Sequence, residues 1–222
     1  MSKIKLLIAE ANNYFSTDEI EKLNTAAALA EQFVSNKFDF DYEVNVFVIS
    51  PSYPLNVITE DGISGKTYRS DLIVIVIDKE IGFSQDFFYE TLCHELAHSL
   101  RWQKVDEHSI TLSDEIIFEG LAILLEEKAM AENSILNTQY FLKEMQNTDQ
   151  TKIDKIISKL NKNLNDSEYD YNKIFINGND ELPRWSGYRL GYYLVKKYLK
   201  NNNTDIFKAI FDKYKSFQGP TL

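Results

Sequence analysis

Two of the three histidines in this chain stand four residues apart, in His94-Glu95-Leu96-Ala97-His98. Around them Phe88, Leu92, Leu96 and Leu100 recur at every fourth position. That spacing predicts an amphipathic helix over 85–102 with one apolar stripe. Residues four apart lie one turn apart on the same helix face. His94 and His98 can therefore aim ring nitrogens at one point about 2 Å from each, the distance at which imidazole binds zinc. Glu95 lies about 100° round from His94. It is badly placed to be a ligand, but it can reach a water beside such an ion, as a general base must. Cys93 precedes the first histidine, points about 100° the other way, and reads as a small buried residue.

A zinc site of this kind needs a third protein donor. In the long metzincin pattern a histidine six residues past the second one supplies it. Here that position is Lys104, and the position of the pattern's glycine is Arg101. The remaining histidine, His108, lies in the polar run 104–108, which reads as a solvated loop. An acid on the next helix is the better candidate. Residues 113–131 carry Ile116, Ile117, Leu121, Leu124 and Leu125 as a buried side. Glu119 sits among them, in Phe118-Glu119-Gly120-Leu121-Ala122, where a carboxylate without a partner is costly. A dication is a suitable partner. Glu115 and Asp114 stay open as alternative ligands, although acids in a first helical turn commonly just face the helix N-terminus. Asp114 is also a candidate acceptor for the second nitrogen of a ligand histidine.

The rest of the chain supplies the scaffold. Ser16-Thr17-Asp18-Glu19 has the form of a capping box, and Ile20, Leu23, Ala27, Ala30 and Val34 follow at helical spacing to about Lys37. Residues 4–9 fit a strand or a helical turn. Residues 44–49 read as a strand with Val44, Val46 and Val48 on one face, ended by Pro51 and Pro54. A glycine-containing loop is expected over 61–65, and 72–77 is a β-branched run typical of a buried strand. Weaker amphipathic helices are expected near 138–147 and 151–163, a long loop over 164–181, and a final helix over 184–200. Strands first and helices afterwards predict an α+β fold: a small N-terminal sheet of three or four strands, then a helical C-terminal lobe.

The final helix sets Trp185, Tyr188, Tyr192, Val195 and Leu199 along one face, with Gly187 and Gly191 leaving room for another element. Trp185 reads as core. The Tyr188 hydroxyl is the candidate donor to the oxyanion of a tetrahedral intermediate, with Tyr192 or Arg189 as alternates.

A length of 222 residues points to one domain, with lobes about 1–104 and 105–222. Hydrophobic residues at 44% provide a real core, and one cysteine excludes a disulfide within the chain. The net charge of −10 disfavours nucleic acid and anionic membrane surfaces as partners. The first apolar run is broken at Glu10, and no run approaches the roughly 18 residues of a membrane span. A cytoplasmic location is the expectation.

Three segments together resemble a bacterial family of predicted zinc-dependent proteases of the gluzincin type. They are 94–101, which holds the two histidines; Thr111-Leu112-Ser113-Asp114-Glu115-Ile116-Ile117-Phe118-Glu119-Gly120-Leu121-Ala122; and Pro183-Arg184-Trp185-Ser186-Gly187-Tyr188 with Gly191-Tyr192. The similarity takes in Gly65-Lys66-Thr67-Tyr68 and so spans roughly 60–200. It implies a zincin-like fold, with His94, His98 and Glu119 as zinc ligands and Glu95 as base. Thermolysin-like gluzincins carry an aspartate four residues after the ligand glutamate; here that residue is Ile123. The resulting expectation is a zinc peptidase acting on a peptide or protein, with residues 72–77, by analogy with other gluzincins, as the edge strand for the substrate. The alternatives are a zinc hydrolase of small amides and a non-catalytic zinc-binding module.

Overall fold

The computed structural model describes residues 2–9, 11–52 and 56–217. Glu10 and Pro54, read above as breakers, lie outside them. The chain divides into two compact units, Met1–Lys104 with Leu125–Lys143, and Val105–Leu124 with Glu144–Leu222.

The first unit is built on a four-stranded sheet. Its strands are β1 (Ile4–Ile8), β2 (Val44–Ile49), β3 (Ile63–Arg69) and β4 (Leu72–Ile77), in the order β1-β2-β4-β3. β1, β2 and β4 run parallel, and β3 is antiparallel to β4. The alternation in β2 is as read: Val44, Val46 and Val48 are fully buried, while Phe47 on the other face is partly exposed. Each buried valine contributes about 1.5–3 kcal/mol of transfer free energy. Register places Val46 beside Ile73 and Val48 beside Ile75, so the parallel core is a layer of β-branched side chains.

Two expectations change here. The glycine segment is not all loop, since β3 starts at Ile63 and contains Gly65. Nor is 72–77 the edge, because β4 pairs with β2 on one side and β3 on the other. A continuous apolar run belongs in a strand flanked on both sides; the more polar Ile63–Arg69 takes the rim.

Helix α1 (Thr17–Lys37) starts in the full capping box at Ser16 and Glu19. Helix α2 (Gln85–Lys104) lies against α1 and β3. Helix α3 (Leu112–Glu132) and helix α4 (Tyr140–Gln146) each run through a unit boundary. Asp61, buried just before β3, accepts the Tyr140 and Phe141 amides at 2.6 and 3.1 Å and so caps the start of α4.

In the second unit, α5 (Gln150–Leu160) buries Ile153, Ile156 and Leu160. The stretch expected as a loop over 164–181 holds a π-helical turn, Asn172–Asn177, ended by Gly178 at φ 68°. Ile174 and Phe175 are buried there, and this apolar pair within a polar run is what orders it. Helix α6 (Ser186–Asn202) begins two residues later than read, because Trp185 is held at φ 63° outside the helix. A short α7 (Ile206–Ala209) follows. A Cβ on Gly120 or on Gly191 would collide with the backbone of the other helix, so this glycine pair lets α3 and α6 touch backbone to backbone. Among the described residues no helix is long and apolar enough to cross a membrane.

Candidate metal centre

Helix α2 presents His94 and His98 on one face as the four-residue spacing requires. Their rings meet edge to face, with centroids 4.9 Å apart. Glu119 on α3 is 6% exposed. His94, His98 and Glu119 each offer one ligand atom, and these atoms lie within 4.8 Å of one another. The donors fit a small divalent ion. Imidazole nitrogen and carboxylate oxygen are donors that zinc takes at about 2.0–2.2 Å, and three protein donors leave a position open, as in catalytic sites. Glu115, Asp114 and His108 are not in this group. His108 is exposed on the chain after α2. Asp114 turns back to accept the Ile110 and Thr111 amides at the start of α3.

The acceptor behind His94 is instead Glu126. Its Oε2 lies 2.6 Å from Nδ1 of His94, and its side chain is 3% exposed. A carboxylate accepts, so Nδ1 carries the proton and Nε2 is the nitrogen that could take a metal ion. Behind Glu126 comes Glu90, 1% exposed, whose Oε2 accepts the Gln139 amide at 3.0 Å. Burial and the neighbouring charge of Glu126 hold the Glu90 carboxyl well above the usual carboxylate range, so it stays protonated at neutral pH. Sequence reasoning missed both acids, although the signal was present. Glu126 follows Glu119 by two turns, and Glu90 precedes His94 by one.

Glu95 is 5% exposed and faces β3. Its Oε2 accepts from the Thr67 hydroxyl at 2.7 Å. A Cβ on Gly65 would lie 2.5 Å from Glu95 Cγ and 2.7 Å from Oε1. Cys93 is buried as expected, and burial pushes its thiol up.

Other candidates lie in the second unit. Tyr188 is half-buried, with its hydroxyl 3.3 Å from that of Tyr171 and its ring edge-on to Phe175 at 5.4 Å. The Tyr192 hydroxyl accepts from Lys196 at 2.8 Å. Arg189 is 4% exposed and gives four N–H bonds to Arg184, Glu144 and Thr148, which makes it a strut for α6. Tyr169, not singled out from the sequence, lies in the field of Glu115, Glu119 and Asp114. Burial first, and those charges second, push its phenol up to about 12, so it keeps its proton. Trp185 is buried, with the Arg184 guanidinium 3.9 Å over its ring.

A search of curated proteins and a search of solved structures each returned no match. The model of the family described as Predicted Zn-dependent protease (DUF2268) matches residues 23–218, nearly the whole chain, and the chain belongs to that family.

Proposed function

We propose that this chain is a zinc-dependent peptidase in which His94, His98 and Glu119 hold the ion and Glu95 is the general base. The observation that carries the reading is the convergence of two imidazoles and a buried carboxylate to within 4.8 Å, with a second buried carboxylate next in sequence to the first histidine. A zinc ion there would supply a Lewis acid for the substrate carbonyl and make a neighbouring water more acidic. Glu95 takes the proton from the attacking water and returns it to the leaving nitrogen. Glu126 fixes the His94 ring and its tautomer through the 2.6 Å bond. Tyr188 is the proposed oxyanion donor.

The substrate is a peptide or protein, in keeping with the family description. β3 is the strand it would extend. β3 pairs with β4 on its inner side, and at its outer edge Ile58 bridges Ile63, so the stretch from Gly65 onward is the proposed place for strand addition.

The test is zinc content and hydrolysis of fluorescein-labelled casein for wild type and Glu95→Gln. The variant is expected to keep its zinc and lose about 10²–10⁴-fold in turnover. Full activity in the variant would remove Glu95 from the role, and a wild type that takes up no zinc on reconstitution would overturn the site.

A further inference from the structure

Gly65-Lys66-Thr67-Tyr68 forms the middle of β3. In a strand, alternate residues share a face. Gly65 and Thr67 lie on the face that α2 covers, and Lys66 and Tyr68 lie on the other, both exposed, with the Lys66 ammonium 5.5 Å over the Tyr68 ring. The covered pair packs against the Glu95 side chain of α2.

We infer that Thr67 and Gly65 are positioning residues for Glu95, and that β3 is the mount that aims its carboxylate. This rests on the reading of Glu95 as the base. Thr67 is 6% exposed. Its Oγ lies 2.7 Å from Glu95 Oε2 and 2.9 Å from the Glu95 carbonyl oxygen. A hydroxyl has one hydrogen to give, and a carboxylate is the stronger acceptor. The hydrogen therefore goes to Oε2 and pins that oxygen. The other oxygen, Oε1, lies over Gly65, where any Cβ would sit 2.7 Å from it. Only glycine leaves that space open. One carboxylate oxygen is thus tied and the other rests in a slot floored by backbone, so the whole carboxylate is held in one place. A glutamate without these two neighbours samples several rotamers, and a shift of about 1 Å at a reacting group lowers rate by about 100-fold.

A purely structural role, in which Thr67 merely ties α2 to β3, makes different predictions. Thr67→Val keeps the shape and removes the hydroxyl, and Thr67→Ser keeps the hydroxyl. Gly65→Ala displaces the carboxylate from the other side. Zinc-loaded variants are compared on labelled casein beside Glu95→Gln, with zinc content measured and the Thr67→Val and Gly65→Ala crystal structures solved. Positioning predicts full zinc content in all of them. It predicts kcat lower by about 10–100-fold in Thr67→Val and Gly65→Ala at unchanged KM, and Thr67→Ser within about threefold of wild type. The crystal structures are expected to show the Glu95 carboxylate moved by about 1 Å or more. Full activity of Thr67→Val beside an inactive Glu95→Gln overturns the positioning role and leaves the base in place. An active Glu95→Gln overturns both. A carboxylate that has not moved in either variant overturns the positioning role whatever the turnover on casein.

Discussion

Glu126→Gln tests the second layer of the centre. Glu126 accepts a 2.6 Å bond from His94 and is 3% exposed, so the interaction is charge-assisted and shielded from water. Hydrogen bonds to charged groups contribute about 1.5–3 kcal/mol. Loss of an acceptor behind a ligand histidine lowers metal affinity by about 10–100-fold, or roughly 1.4–2.7 kcal/mol. Glutamine keeps the shape and an acceptor oxygen but removes the charge, which places it near the lower figure. An opposing effect acts on the metal-free protein. The Glu126 side chain is 3% exposed, and a buried carboxylate is costly to desolvate when no cation is near. Glu126→Gln is therefore expected to bind zinc about tenfold more weakly, while its metal-free form melts no lower than wild type. Competition against a chromophoric zinc chelator gives the first quantity, and thermal unfolding after chelation gives the second. Zinc affinity within about twofold of wild type would refute the coupling of Glu126 to the ion through His94. A weaker metal-free fold together with weaker binding would mean that Glu126 acts by packing.

The folded-state pKa of Glu90 lies well above the ordinary glutamate value, raised first by burial and then by the charge of Glu126. Its contribution to stability is therefore fully present below the unfolded value and is lost as pH rises through the folded one. Glu90→Gln, which cannot ionise, is expected to gain on wild type in melting temperature between about pH 5 and about pH 8.5; a constant difference across that range would refute the assignment. Gly191→Ala puts a methyl group against the Ile116 carbonyl and the Gly120 backbone. It is expected to destabilise by about 1–3 kcal/mol in urea unfolding, and an unchanged midpoint would show that α3 and α6 can separate freely.

What the sequence determined by itself is whatever short-range periodicity carries. Histidines four apart on an apolar-striped segment make a helix with a two-nitrogen face, whatever surrounds it. Ser16 and Glu19 cap α1 through local bonds. The alternating valines of β2 and the unbroken apolar run of β4 announced a core strand and a buried one. Glu119 stood out because a carboxylate among isoleucines and leucines requires a partner. The α+β class followed from the order of these elements. The tertiary structure decided what depends on pairing across long separations. Strand order put β3 at the rim and β4 inside, because one run can be flanked on both sides and a more polar one cannot. The partner of His94 is 32 residues away, at Glu126 rather than Asp114, and only the placement of α3 against α2 selects it. The neighbours of Glu95 are 28 and 30 positions upstream on β3, where no periodicity within α2 could reveal them. Local spacing thus placed the histidine pair, and packing between elements decided what holds, tunes and aims it.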